Sequence, residues 1–317
     1  MKSVLVTGGS GFIFSHFVEL LLEKGYKVIN VDKLTYASNK DFAPQLPNYT
    51  FLQKDIKDLD NLPYCDFIVH AAACSHVDRS ISKNDDFIDS NILGTHNLLE
   101  LLRKKKVQHM NLGWEYKDPI FIYISTDEVF GDLERGFFRE EDRHNPSNPY
   151  SASKSSSEML VKAWGRTYNI PYRITRTTNN YGERQHDEKL IPHAIMSLLG
   201  NQKIMIHGDG SYIRNWIYVK DNCSAVLKVL ENGINGETYH ISSDEEYSVS
   251  QIVEMVCKKL GKNVPKSVQY IQNRAGQDLR YALDNTKIKR ELGWHQQYKM
   301  YDMLDDIIES YKNAKLL

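Results

Sequence analysis

The sequence has few cysteines, few prolines and almost no charge imbalance. Four cysteines in 317 residues (Cys65, Cys74, Cys223 and Cys257) are scattered along the chain. None makes a CxxC or Cys/His metal spacing, so neither a metal site nor a disulfide framework is expected. Forty Lys+Arg face 41 Asp+Glu, a formal net charge of −1. Phosphate backbones and anionic lipid surfaces call for a basic excess, which argues against a dedicated nucleic-acid or membrane-surface binder. No apolar run reaches the ~18 residues of a membrane span. The opening MKSVLVTGGSGF turns glycine-rich before a signal-peptide core could form. With 11% aromatic residues and no low-complexity tract, disorder is excluded as well. The expectation is a cytoplasmic globular protein, at ~150 residues per domain either two domains or one large α/β unit.

What is present is a βαβ rhythm. Lys2–Thr7 is a short β-branched run of the kind that forms a buried parallel strand. Phe12–Lys24 carries a helical apolar face and Gly25 ends it. Further strands are expected at Lys27–Val31, Tyr49–Gln53, Phe67–Ala73, Ile120–Ser125 and Tyr172–Arg176, with helices over Phe87–Lys105 and from Tyr150. Strands alternating with helices imply a doubly wound parallel sheet with right-handed crossovers. After about residue 180 the pattern loosens, with later helices at Ser248–Leu260 and Tyr301–Ala314. Residues 1–178 therefore read as a nucleotide-binding unit and 179–317 as a smaller α/β substrate-binding region. Late strands near 213–242 are expected to return to the main sheet.

Three clusters carry chemistry. Gly8-Gly9-Ser10-Gly11-Phe12-Ile13 lies between a strand and a helix, the context of a Rossmann-like dinucleotide turn. Glycine triplets alone are common, but Asp32 closes the second strand about twenty residues on. A carboxylate there accepts ribose hydroxyls and repels a 2′-phosphate, which favours NAD over NADP. Phe14 stands where the third glycine of the pattern belongs. Tyr150 and Lys154 share a helix face at i and i+4, where a cation lowers a phenol towards the range of a general base. Elsewhere such a pair is mostly a solvated helix face. Thr126, Asp127 and Glu128 follow the apolar strand directly. They are either an ordinary helix cap or an acid–base pair whose pKa values separate on burial.

TGGSGF, ISTDEVFGDL, PYSASK and NNYG together resemble the extended short-chain dehydrogenases, most closely the nucleotide-sugar 4,6-dehydratases of the dTDP-glucose type. The likeness runs nearly end to end, through NPYSASK, NNYGERQHDEKLIP, HGDGSYIRNWIYVKD and RAGQDLRYALD. Epimerase relatives usually lack the Asp-Glu pair. The resemblance implies a three-step cycle on a nucleoside-diphosphate sugar. Tyr150, helped by Thr126 and Lys154, takes the proton of the 4-hydroxyl as hydride leaves carbon 4 for NAD. Glu128 takes the carbon 5 proton while Asp127 protonates the departing 6-hydroxyl, and hydride returns to carbon 6.

The same resemblance implies that Gly8, Gly11, Phe12, Ile13, Asp32, Lys33, Asp55, Ile56, Ala71, Ala72 and Ala73 join Tyr150 and Lys154 around NAD. His76, Asp78, Arg79 and Ser80 fall on the glucose-phosphate side. Asn179, Lys189, Leu190, Arg214, Asn215 and Arg274 fall on the nucleoside-diphosphate side. A homodimer paired through the helices at Phe87–Lys105 and Tyr150–Gly165 is implied too. Cys74, Ala275 and Gln277 depart from the dTDP-glucose pattern, and the last two, on the expected nucleotide side, leave the base open. The competing readings are a nucleotide-sugar epimerase or oxidoreductase, a 4,6-dehydratase of a UDP-, GDP- or CDP-sugar, and a catalytically inert binding homologue.

Overall fold

The computed structural model describes residues 1–113, 117–273 and 278–316. Seven parallel strands form the central sheet: β1 (Ser3–Thr7), β2 (Lys27–Asp32), β3 (Tyr49–Gln53), β4 (Phe67–His70), β5 (Ile120–Thr126), β6 (Tyr172–Thr177) and β10 (Thr238–Ile241). Their order is β10-β6-β5-β4-β1-β2-β3. Chain direction across the sheet therefore reverses between β1 and β4, and a crevice opens there above the strand ends. The apolar residues of β1, β4 and β5 are buried on both faces, as a sheet covered by helices requires. One layer packs Val4, Val6 and Ile122 against Phe14, Phe17 and Leu21 of helix Phe12–Glu23 and against Val226 and Leu230 of helix Val219–Asn232. The other packs Leu5, Ile68 and Tyr123 against Leu98 and Leu102 of helix Gly94–Asn111 and Val161 of helix Pro149–Tyr168.

The expected doubly wound sheet is present, with one correction. Of the late strands expected to rejoin it, only β10 does, beside β6. β9 (Ile213–Tyr218) lies instead between β7 (Asn179–Tyr181) and β11 (Glu246–Ser248) in a separate three-stranded sheet. Its partners are the polar, turn-flanked segments around the substrate-side residues, a pairing that strand periodicity cannot reveal. A third, two-stranded sheet joins β8 (Ile204–His207) to β12 (Val268–Ile271). Among the described residues no helix is long and apolar enough to cross a membrane.

Local chemistry fixes the helix that carries Tyr150. Asn148 accepts from Ser151 N–H (2.9 Å) while Ser151 Oγ accepts from Asn148 N–H (3.2 Å), a reciprocal cap, and Pro149 starts the first turn. Asn169 ends it in the left-handed region at φ 53°. The segment before Gly94 is not the straight helix expected from Phe87. Ile88–Leu93 is a wide π-type turn, a form that recurs at functional sites.

Phe14 is buried 5.6 Å from the ring of Phe17, edge to face, in the layer beneath β1. The residue at the third-glycine position is thus a core side chain. Phe14→Ala is expected to cost about 3–5 kcal/mol in chemical denaturation, the usual range for a buried phenylalanine. An unchanged unfolding midpoint would show that the ring packs against nothing that matters.

Candidate active site

The clusters singled out in the sequence meet at one rim, at the carboxyl ends of five neighbouring strands. At the end of β1, Gly8 adopts φ +74°. A Cβ there would stand 2.8 Å from the Ala72 backbone, so only glycine fits. Gly11 N–H donates to the Gly8 carbonyl (3.1 Å), and a Cβ on Gly11 would stand 3.2 Å from that oxygen. Phe12 and Ile13 then open the helix. The turn offers bare backbone at a helix N-terminus, which suits a pyrophosphate. Asp32 at the end of β2 is buried. Its Oδ2 accepts from Ser10 N–H (3.0 Å) and its Oδ1 from Leu34 N–H (2.8 Å), which binds the carboxylate to the glycine turn. Lys33 Nζ bridges Asp55 (3.0 Å) and Ser90 (2.9 Å) at the edge of the same crevice. Ile56 is buried beneath Gly94. Ala71 and Ala72 donate to Thr7 Oγ1 (3.2 Å each), and Ala73 is exposed on the rim. The residues present therefore fit a dinucleotide: a backbone cradle that a Cβ would fill and a buried carboxylate beside it.

At the end of β5, Thr126 caps a single 3₁₀ turn, Asp127–Phe130. The cap reading of this segment is realised. Thr126 Oγ1 accepts from Glu128 N–H (3.3 Å) and donates to Asp127 Oδ1 (3.1 Å). Asp127 Oδ2 is buried without a hydrogen-bond partner among the described residues. Burial first, then the Glu128 charge, push the Asp127 carboxyl up to about 7. Glu128, partly exposed, accepts from Asn148 Nδ2 (3.4 Å). Two adjoining carboxyls thus occupy different environments.

Tyr150 and Lys154 are both buried on the helix facing this turn. Here the sequence expectation needs correction. Lys154 Nζ donates to the Ile124 carbonyl (2.6 Å), and burial pushes it down to about 7. Burial, followed by the Glu128 charge, drives the Tyr150 phenol above its ordinary value, while the hydrogen-bonded Thr126 side chain opposes this. Burial dominates at Tyr150 and disfavours its phenolate form.

Of the residues expected on the sugar side, His76 and Arg79 border one carboxylate that the sequence did not single out, Glu188. Glu188 Oε2 lies 3.5 Å from His76 Nε2 and 3.5 Å from Arg79, and its Oε1 accepts from Tyr36 Oη (3.1 Å). Burial, followed by the Lys189 charge, lowers His76. Asp78 lies in the first turn of the same short helix, Val77–Ser82. Ser80 is buried, donating to the Val77 carbonyl (2.6 Å). Asn179 lies at the start of β7 and Leu190 opens the helix that Lys189 caps. Arg214 is buried, donating to the carbonyls of Ile213, Asp278 and Leu279, and its guanidinium stacks 4.3 Å from the Tyr281 ring. Asn215 is engaged within the fold by Thr178 and Ser243. Arg274 lies outside the described residues, as do Ala275 and Gln277. Asn91, in the π-type turn, was also not anticipated. Its amide clamps the Cys74 backbone and donates to Ser153 Oγ (2.8 Å) on the Tyr150 helix. The available signal was a polar residue at a core position of an amphipathic stretch.

Fold and site together define an NAD-dependent enzyme of the extended short-chain dehydrogenase type. The family model for GDP-mannose 4,6 dehydratase matches residues 5–307, and the chain belongs to that family. It is 41% identical over 316 residues to the low-salt glycan biosynthesis protein Agl12 of Haloferax volcanii, covering 97% of this chain and 98% of that one. It is 39% identical over 343 residues to a dTDP-glucose 4,6-dehydratase of Escherichia coli, covering 98% and 94%. Among solved structures it resembles DesIV of Streptomyces venezuelae, a dTDP-glucose 4,6-dehydratase with NAD and TDP bound, at a TM-score of 0.91, 38% identity, and 99% and 98% coverage. A UDP-glucuronic acid 4-epimerase of Bacillus cereus matches at a TM-score of 0.90 but 27% identity, over 98% and 99% of the two chains.

Proposed function

We propose that this chain converts dTDP-glucose to the 4-keto-6-deoxy sugar, and that Thr126, Asp127, Glu128, Tyr150 and Lys154 carry the chemistry. The observation that carries the reading is Asp127, a buried carboxyl held up to about 7 beside a second carboxylate in a different environment. Loss of water from adjoining carbons needs one acid and one base at once, and such a pair supplies both. A 4-epimerase has no such need. The relatives named for dTDP-glucose support the choice of substrate.

NAD, when bound, would supply a hydride acceptor for carbon 4 and a hydride donor for carbon 6. Gly8, Gly11, Phe12 and Ile13 would hold its pyrophosphate and Asp32 its adenosine ribose, with Lys33, Asp55, Ile56 and Ala71–Ala73 along the crevice. Tyr150 removes the proton from the 4-hydroxyl, steadied by Thr126 and Lys154. The resulting ketone acidifies the carbon 5 proton, which Glu128 takes. Asp127 delivers its proton to the 6-hydroxyl, which leaves as water. His76, Asp78 and Arg79 flank the sugar phosphate, Lys189 lies on the nucleoside-diphosphate side, and a homodimer forms through the Gly94–Asn111 and Pro149–Tyr168 helices. The experiment is incubation of the purified protein with dTDP-, UDP-, GDP- and CDP-glucose and mass analysis of the products. Water loss from the dTDP sugar supports the reading; an isobaric carbon 4 epimer contradicts it.

Asp32→Ala is expected to lower NAD affinity by about 10–100-fold, the worth of a lost charged hydrogen bond or two. NADP should not restore activity. Equal binding of both cofactors by the unaltered protein, measured by calorimetry, would remove Asp32 from the ribose site.

A further inference from the structure

We propose that Arg176 is a positioning residue that sets the Asp127–Glu128 turn against the Tyr150–Lys154 helix. The proposal rests on the assignment of water loss to those two carboxyls. Arg176 lies on β6 directly beside Ser125 of β5, one residue before the catalytic threonine. Its side chain is almost wholly buried. All five guanidinium N–H groups have acceptors. Nε donates to Glu158 Oε2 (3.2 Å), and Nη2 donates to Glu158 Oε1 (2.6 Å) and His144 Nε2 (3.0 Å). Nη1 donates to the Glu140 carbonyl (2.9 Å) and His240 Nε2 (3.2 Å).

Arginine has no acceptor, so each histidine must present a bare Nε2 and carry its proton on Nδ1. Both rings are therefore neutral, in keeping with burial and the adjacent Arg176 charge pushing His144 down to about 4 and His240 to about 3. His144 Nδ1 then donates to Ser155 Oγ (2.8 Å), next to Lys154 on the catalytic helix. Glu158 lies on that helix too, four residues past Lys154 and eight past Tyr150, on the same face. One guanidinium thus grips the catalytic helix twice, at Glu158 directly and at Ser155 through His144.

Its other hold is on the turn. Phe130 closes the 3₁₀ turn that carries Asp127 and Glu128, and its ring is buried. The Arg176 guanidinium lies 4.7 Å from that ring centre. The edges of His144 and His240 meet Phe130 at 5.6 and 5.5 Å, and Phe138 stacks on it at 4.6 Å. Phe130 is therefore walled by the groups that Arg176 fixes, and it cannot shift without opening that cluster. A lysine keeps the charge but has three donors and no planar fork, so it cannot serve five acceptors.

The test uses Arg176→Lys and, because the first may not fold, Phe130→Leu, which leaves the Arg176–Glu158 pair untouched. Single turnovers with dTDP-glucose are quenched, and the 4-keto hexose and the 4-keto-6-deoxy product are separated by mass, alongside melting curves and KM. In the unaltered enzyme the 4-keto hexose should be transient. In the variants water loss should slow by about 10²-fold, as expected for a misplacement near 1 Å, with KM little changed. The 4-keto hexose should then accumulate, which a smaller folded fraction cannot cause. Variants that lose both steps in equal proportion, or neither, overturn this proposal while leaving the proposed function standing. If Arg176→Lys does not fold, Phe130→Leu decides alone. An unaltered enzyme that forms neither keto sugar overturns the underlying reading and this proposal with it.

Discussion

Asp127→Asn should bind substrate normally, oxidise it at carbon 4 and then stall. The amide keeps the size of the side chain but holds no proton for the 6-hydroxyl, so water loss should slow by about 10²–10⁴-fold, the usual worth of a positioned general acid. The 4-keto hexose and the absorbance of reduced nicotinamide should build up together in stopped flow. In the unaltered enzyme the sign of the pH dependence follows from the raised carboxyl. Asp127 holds its proton below about 7 and loses it above, so water loss should decline as pH rises through that value. A variant that binds substrate yet never builds up reduced cofactor would show that Asp127 acts before elimination.

Tyr150→Phe should stop the enzyme one step earlier. Without the phenol nothing takes the 4-hydroxyl proton, and turnover should fall by about 10²–10⁴-fold with no keto sugar of either kind and no reduced cofactor. Burial and the neighbouring carboxylates work against the phenolate here, and Lys154 is itself held down to about 7. If Tyr150→Phe retained oxidation at carbon 4, Thr126 would be the better base. Glu128→Gln separates from both variants: oxidation should survive, while the carbon 5 hydrogen should no longer exchange with deuterated solvent.

The sheet and the cofactor end of the crevice were legible because their signals are local. A buried parallel strand is a continuous apolar run, and a dinucleotide turn is a few consecutive residues between two such elements. Tyr150 and Lys154 were legible for the same reason, since helical periodicity alone puts them on one face. What escaped depends on distant partners. β9 could be read as a strand but not assigned to its separate sheet, because its neighbours lie about forty residues before it and thirty after. Glu188 gathers Tyr36 from one loop and His76 and Arg79 from the start of the Val77–Ser82 helix, and nothing in DEKLIP announces that. The direction of the Tyr150 shift was misjudged because a one-dimensional pattern shows the lysine four residues on but not the depth of burial. Asn215 reads like a ligand residue by its place in RNW, yet its side chain is occupied by Thr178 and Ser243.

One bound cofactor should move a single hydride within one sugar while water is lost, and dTDP-glucose carrying deuterium at carbon 4 tests this. The purified protein, given no reductant, should release a 4-keto-6-deoxy sugar one water lighter, with the deuterium now on carbon 6. Release of an unaltered mass inverted at carbon 4, or of a deoxy sugar whose carbon 6 hydrogen comes from elsewhere, would contradict the account.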